Sequence, residues 1–155
     1  VFMSVIRRFE ERDFGRLNEI CSKCYDGRDF LPSVASKLLA DKAVSFFAME
    51  NEKGELVAVS VTQWMDDGKV AYFMGLRVAS EARRHGHAAS LLKHQLADAT
   101  ARGAKVGRFV RDSNTQATKA IATACGFEFV AFWPVLRWEC EVLKQQVQWL
   151  KAHSK

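Results

Sequence analysis

Three apolar runs stand close together in the middle of the chain, and the third leads through a short basic turn onto a helix. Val44 to Glu50, Leu56 to Met65 and Lys69 to Ala79 read as strands, rich in β-branched and aromatic residues. Turns built on Asn51-Glu52-Lys53-Gly54 and Asp66-Asp67-Gly68 join them. Connections this short make neighbouring strands antiparallel. After the third run comes Arg83-Arg84-His85-Gly86-His87-Ala88, then a helical pattern with Ala88, Ala89, Leu92, Leu96 and Ala99 on one face, stopped by Gly103. A chain with this middle section is committed to a sheet with helices laid on it.

The flanks extend that plan. Met3 to Phe9 predicts a first strand. Asp13 is placed to cap a helix whose apolar positions are Phe14, Leu17, Ile20, Cys21 and Cys24. Tyr25-Asp26-Gly27-Arg28-Asp29-Phe30-Leu31-Pro32 is a turn-rich loop, and a short helix is expected from Ser33 to Leu39. Val106 to Arg111 reads as a strand that a whole helix separates from the one before, so it pairs in parallel. Thr115 to Ala124 predicts a helix ended by Gly126. Phe127 to Trp133 and Val135 to Cys140 predict strands around Pro134, and Glu141 to Lys151 a final helix. The expected fold is α/β (α+β): a mixed, mainly antiparallel central sheet flanked by helices, with an added C-terminal helix. Residues 1–140 form the domain, and residues 141–155 a helical extension packed on it.

Composition removes several classes of function. The 155 residues suit one domain with its own core, and 48 % of them are apolar. No apolar run approaches the roughly 20 residues of a membrane span. The net charge of +5 is not drawn into the long basic stripe of a nucleic-acid site. It gathers instead at Arg77, Arg83, Arg84, His85, His87 and Lys93, around one turn. Cys21-x-x-Cys24 has no second ligand pair, so the cysteines read as structural thiols and no metal is expected. Reduced thiols without a signal-like segment lead to the expectation of a cytoplasmic protein, monomeric or homodimeric, with no nucleic-acid or membrane partner.

The turn itself points to a phosphate. A helix start carries unpaired N–H groups and a partial positive charge. Gly86 and Ala88 leave the backbone there open to close approach, and such a site holds an anion.

Arg83-x-x-Gly86-x-Ala88 after a strand ending in Leu76-Arg77-Val78, followed by a helix from Asn114 to Gly126-Phe127, resembles the acetyl-CoA-binding core of the GNAT superfamily of N-acetyltransferases. The resemblance spans the first strand to about Trp138. It implies acetyl-CoA as co-substrate, no metal, and a primary amine as acceptor. It places cofactor contacts at Leu76, Arg77, Val78, Arg83, Arg84, Gly86, His87, Ala88, Ala89 and Asn114. The N–H groups around Leu76 and Val78 are candidates to polarise the acetyl carbonyl. Many members carry a Tyr acid four residues before the Gly-Phe pair. Here Ala122 stands there, which leaves water to protonate the leaving thiolate. Tyr72 and Asp112 are the candidate catalytic groups. Tyr72 could relay a proton, although a phenol of pKa about 10 is a poor base. Asp112 follows a strand at the sheet edge, where it could hold a cationic amine or simply form a turn.

Tyr25 to Pro32, Gly75-Leu76-Arg77-Val78-Ala79 and Arg111-Asp112 further resemble the histidine N-acetyltransferase branch. That implies a small amino acid as acceptor, met by Tyr25, Arg28, Phe30 and Met74, with Arg28 on its carboxylate and Phe30 stacked on a ring. Met74 replaces an acidic residue of that branch. The alternatives left open are a protein or peptide acetyltransferase and a non-catalytic acetyl-CoA-binding module.

Overall fold

The computed structural model describes residues 4–110 and 116–130. Its centre is a five-stranded sheet in the order β1-β2-β3-β4-β5, with β1 Val5–Arg8, β2 Val44–Glu50, β3 Leu56–Met65, β4 Val70–Val78 and β5 Val106–Phe109. Pairing is antiparallel from β1 to β4 and parallel between β4 and β5. The change of sense falls where the sequence puts a helix between strands. The helices are α1 Phe14–Ser22, α2 Leu31–Ala40, α3 His87–Ala101 and α4 Gln116–Ala124.

The β2 and β3 boundaries coincide with the expected ones, because their turns are chemically explicit. Asp66 and Asp67 both sit at positive φ, 51° and 54°, a conformation their short polar side chains tolerate. The core lies in two clusters. Leu17, Ile20, Leu31 and Ala35 of α1 and α2 pack with Phe46, Val59 and Val61 of the sheet. Ala71 and Phe73 of β4 pack with Leu92 and Ala99 of α3, joined by Phe109 and Phe127.

Four local expectations need correction. Asp13 does not cap α1. Its carboxylate turns back to accept from the Glu10 N–H at 2.8 Å and from both terminal nitrogens of Arg7 at 2.7 Å. Helix α2 starts at Leu31, ahead of Ser33, because Asp29 Oδ1 accepts the Leu31 N–H at 3.0 Å and Pro32 fits the first turn. The inward face of α3 holds Leu92 and Ala99 as expected, with Leu96 packed against them, but it also takes in Leu91 and Gln95. Gln95 is buried because its amide donates to Thr62 Oγ1 at 2.9 Å, which offsets the desolvation. Residues 127–130 form no strand, and Phe127 instead packs edge-on against Phe73. The expected strands to Trp133 and over Val135 to Cys140, and the helix from Glu141, fall on residues outside the described ones.

Candidate active site

β4 supplies the floor of the site. Over Val70–Phe73 it is paired on both sides, but the register with β5 ends at Phe73 opposite Phe109. From Met74 onward, no described strand pairs with it on that side. Against β3, Val61 lies opposite Met74 and Val59 opposite Arg77, so β4 holds one residue more than its partner across this step. This is a β-bulge, and it re-aims the backbone around Leu76. Gly75 makes it possible. Its φ is +63°, and a Cβ there would lie 3.1 Å from Val61 Cγ2 and 3.4 Å from Leu31 Cδ1. The main chain of Leu76 to Val78 thereby runs beyond the last described pairing with β5, where its N–H groups can meet a carbonyl oxygen.

The strand then turns onto α3. Arg84 and Gly86 take left-handed φ values of 64° and 81° and wrap the chain around the helix start. No side chain caps α3, so the first N–H groups of the helix, from His87, Ala88 and Ala89, remain available. A Cβ placed on Gly86 would meet no atom within 4 Å. A cavity of about 670 Å³ lined by Ser80, Glu81, Arg83, Arg84 and His85 adjoins it. Among the described residues no carboxylate pairs with Arg83 or Arg84, while Glu81 is held by Arg16 of α1. Hydrogen bonds from its own N–H, from Arg16 and from Ser80 lower the Glu81 carboxyl to about 2. Its charge is therefore matched rather than opposed to an incoming anion. The rings of His85 and His87 lie 6.0 Å apart, inclined at 29°. Burial, and then His85, lower the pKa of His87. An open backbone cradle, a positive rim and a helix N-terminus fit the diphosphate of coenzyme A.

Arg77 differs from expectation. In sequence it groups with the basic residues of the turn, but its guanidinium is committed elsewhere. Nε donates to Asp29 Oδ2 at 2.5 Å and Nη2 to Asp29 Oδ1 at 3.0 Å. The two side chains are 10 % and 1 % exposed. Only the backbone of Arg77 is left to meet a cofactor.

Asp29 belongs to the loop between α1 and α2. Tyr25 and Asp26 both take positive φ, 50° and 55°, which costs of order 1 kcal/mol or more each for such residues. The strain is held by the surrounding contacts. The Arg77 guanidinium lies 5.0 Å from the Tyr25 ring centre and 5.9 Å from that of Phe30. Both rings are otherwise exposed, at 60 % and 51 %. Arg28 is exposed and only loosely paired with Asp26 at 3.8 Å. Burial, followed by the Asp29 charge, pushes the Cys21 thiol up to about 12, so it stays protonated. Cys24, expected to be buried with it, is half-buried.

Tyr72 and Met74 lie on the face of β4 opposite Phe73 and are half-buried. Tyr72 sits between Gln63 of β3 and Arg108 of β5. Asp112 and Asn114 lie outside the described residues. Asp29 and Cys21 were not among the expected site residues. The signal for Asp29 was its place between an exposed Arg and an aromatic in the turn-rich loop, and the signal for the bulge was a Gly inside a strand.

The sequence matches the model of the acetyltransferase (GNAT) family over residues 8–127. The chain belongs to the GNAT acetyltransferase family. It is an acetyl-CoA-dependent N-acetyltransferase. Solved structures share the GNAT fold at low identity. A transcriptional regulator from Bacillus halodurans C-125 superimposes with TM-score 0.75 at 17 % identity, covering 88 % of this chain and 100 % of its own. AAC(6′)-Iy, bound to the bisubstrate analogue CoA-S-monomethyl-acetylneamine, gives TM-score 0.71 at 16 % identity, covering 89 % and 99 %. The ribosomal-protein-S18-alanine N-acetyltransferase of Escherichia coli gives 0.72 at 21 % identity, covering 83 % and 80 %. No curated protein matches the sequence. No described helix of this GNAT domain is long and apolar enough to cross a membrane.

Proposed function

We propose that this GNAT enzyme acetylates the primary amine of a small molecule, with the α-amino group of an amino acid such as histidine as the leading acceptor. The amine attacks the thioester directly while both substrates are bound. The observation that carries this reading is the α1–α2 loop, which is tied to the bulge of β4 and presents Tyr25, Arg28 and Phe30 beside it. An exposed, weakly paired guanidinium at Arg28, in the same loop as two open aromatic rings, suits an acceptor with a carboxylate and a ring. The fold itself does not choose: among its neighbours are an aminoglycoside N-acetyltransferase and an enzyme named for a ribosomal protein's alanine.

Each residue then has a role. Arg83, Arg84, Gly86, His87, Ala88 and Ala89 hold the diphosphate. N–H groups around Leu76 and Val78 stabilise charge on the carbonyl oxygen. Tyr72 passes the amine's proton to water, and Asp112 holds the cationic acceptor before attack. Met74 lines the acceptor's path. Ala122 offers no acid, so the thiolate leaves to water.

The test is thiol release from acetyl-CoA with the twenty amino acids, polyamines, an aminoglycoside and an N-terminal alanine peptide as separate acceptors. Saturable turnover fastest with a free amino acid is expected. Turnover with the peptide alone would move the enzyme to the protein-acetylating class, and silence on every amine would leave a binding module.

A further inference from the structure

We infer that Asp29 is a positioning residue: by gripping Arg77 it holds the α1–α2 loop as a wall beside the bulge of β4, so that the amine enters and water does not. The inference deepens the proposed acceptor site and rests on that reading. Arg77 directly follows Leu76, whose main chain lies beyond the last described pairing of β4 with β5. Its side chain leaves the strand toward the loop and meets Asp29 in two hydrogen bonds. The same guanidinium carries the faces of Tyr25 and Phe30, which the loop otherwise exposes. One cation thus joins the strand that receives the acetyl group to the two rings that would meet the acceptor.

Asp29 is engaged in its own right. It takes the Arg77 pair and the Leu31 N–H at 3.0 Å, with its side chain almost fully buried. These contacts fix the start of α2 and β4 around one carboxylate. The loop between them is strained at Tyr25 and Asp26, a conformation that a loose loop would abandon. A carboxylate buried and fully partnered, beside rings and a cation left in solvent, is the arrangement of a wall that must keep its shape while its surface stays free for a ligand. The turn that takes the cofactor is built from other residues, so the two functions separate.

Asp29→Asn tests this in the intact chain, because it keeps the size of the side chain and removes the charge. Coenzyme A affinity by calorimetry is expected to stay within twofold. Turnover with the best native acceptor of the panel is expected to fall at least tenfold in kcat/KM, mostly through KM. Hydrolysis of acetyl-CoA by water, measured without acceptor, is expected to rise at least threefold. Asp29→Glu is expected to recover part of both. Trypsin cleavage after Arg28 reports loop loosening independently. Faster cleavage with unchanged KM and unchanged hydrolysis would reduce Asp29 to a structural role and overturn the inference. If the native protein accepted no amine, the proposed acceptor would fail separately, and an unchanged hydrolysis rate would then overturn this inference as well. Should Asp29→Asn not fold, Arg77→Lys, which keeps the charge but loses the fork, is read by the same acceptor and hydrolysis rates.

Discussion

The two loops that meet at β4 solve opposite problems. The turn into α3 is made of backbone: two left-handed residues, an uncapped helix start, and arginines with no carboxylate partner among the described residues. The loop between α1 and α2 is made of side chains: a buried carboxylate answered by a guanidinium and by a backbone N–H. One region leaves its polar groups open, and the other closes them. On the proposed function, the difference follows from what each would hold. A diphosphate is a fixed, strongly charged group, and a pre-formed set of N–H donors recognises it in any enzyme that uses it. An acceptor differs from enzyme to enzyme, and its site needs a shape that the chain itself maintains. Damage to the closed loop should therefore appear first as lost stability, and damage to the open turn as lost binding.

The largest expected effect is at the closed loop. Arg77→Ala leaves Asp29 buried without its counter-charge, and such a break costs about 3–5 kcal/mol. Urea unfolding should show it as a lower midpoint with an unchanged slope. The pH dependence sharpens the assignment. Burial alone would raise the Asp29 carboxyl, but the Arg77 hydrogen bonds, the Leu31 N–H and Cys21 outweigh it and hold it below the usual carboxylate range. A folded pKa below the unfolded value of about 3.9 gives stability that is present above that value. It is lost as pH falls through the folded value. Unfolding free energy measured from pH 6 to pH 2 should drop steeply below pH 4 in the native protein and less so in Asp29→Asn. Equal acid limbs in the two proteins would show that the pair carries no such coupling.

The open turn is expected to break differently. Gly86→Asp forces an L side chain into φ +81° and puts a negative charge where the phosphates belong. The strain costs of order 1 kcal/mol in stability. Coenzyme A affinity should fall at least about a hundredfold, near 3 kcal/mol. Nothing in the fold is displaced, since no atom lies within 4 Å of the new Cβ. Calorimetry against circular-dichroism melting separates the two. Binding close to native strength would remove the turn from the cofactor site, and with it the basis of the comparison.

These regions also differ in how far the sequence shows them. The phosphate turn is local: strand, basic turn, glycine and helix start lie within about fifteen consecutive positions, and every feature that matters is in that window. β2 and β3 are legible for the same reason, because Asn51 to Gly54 and Asp66 to Gly68 announce their own turns. The clamp is not local. Asp29 and Arg77 lie 48 positions apart, and neither periodicity nor composition shows that a charge on a strand and a charge in a loop will meet. Arg77 reads as one more cation near the turn until the fold turns it the other way. Gln95 escapes for a related reason. It reads as the polar side of α3, and only the presence of Thr62 across the packed face accounts for its burial. A bulge is half visible: Gly75 marks an irregularity within β4, but which residues it re-aims depends on the register with β3.

The smallest expected effect tests whether the open turn is pre-charged or becomes charged when it is filled. His87 has a pKa below its ordinary value, from burial first and from the neighbouring His85 second. Alone, the turn therefore disfavours a proton on His87. A phosphate in the cradle reverses the balance, because an anion within contact distance favours the imidazolium. The pKa of the complex then exceeds that of the free protein, and binding takes up a proton. The gain in affinity is complete below the free-protein value and vanishes above that of the complex, so coenzyme A should bind more tightly as pH falls from 8 to 6. The increase should stay below the tenfold that one unit of pKa difference would supply. The phosphates of coenzyme A titrate over part of the same range, so the informative quantity is the difference between native protein and His87→Gln at each pH. Calorimetry in buffers of different ionisation enthalpy should show fractional proton uptake that the variant loses. Identical pH profiles would mean that Arg83, Arg84 and the helix N-terminus supply the positive field without help from His87.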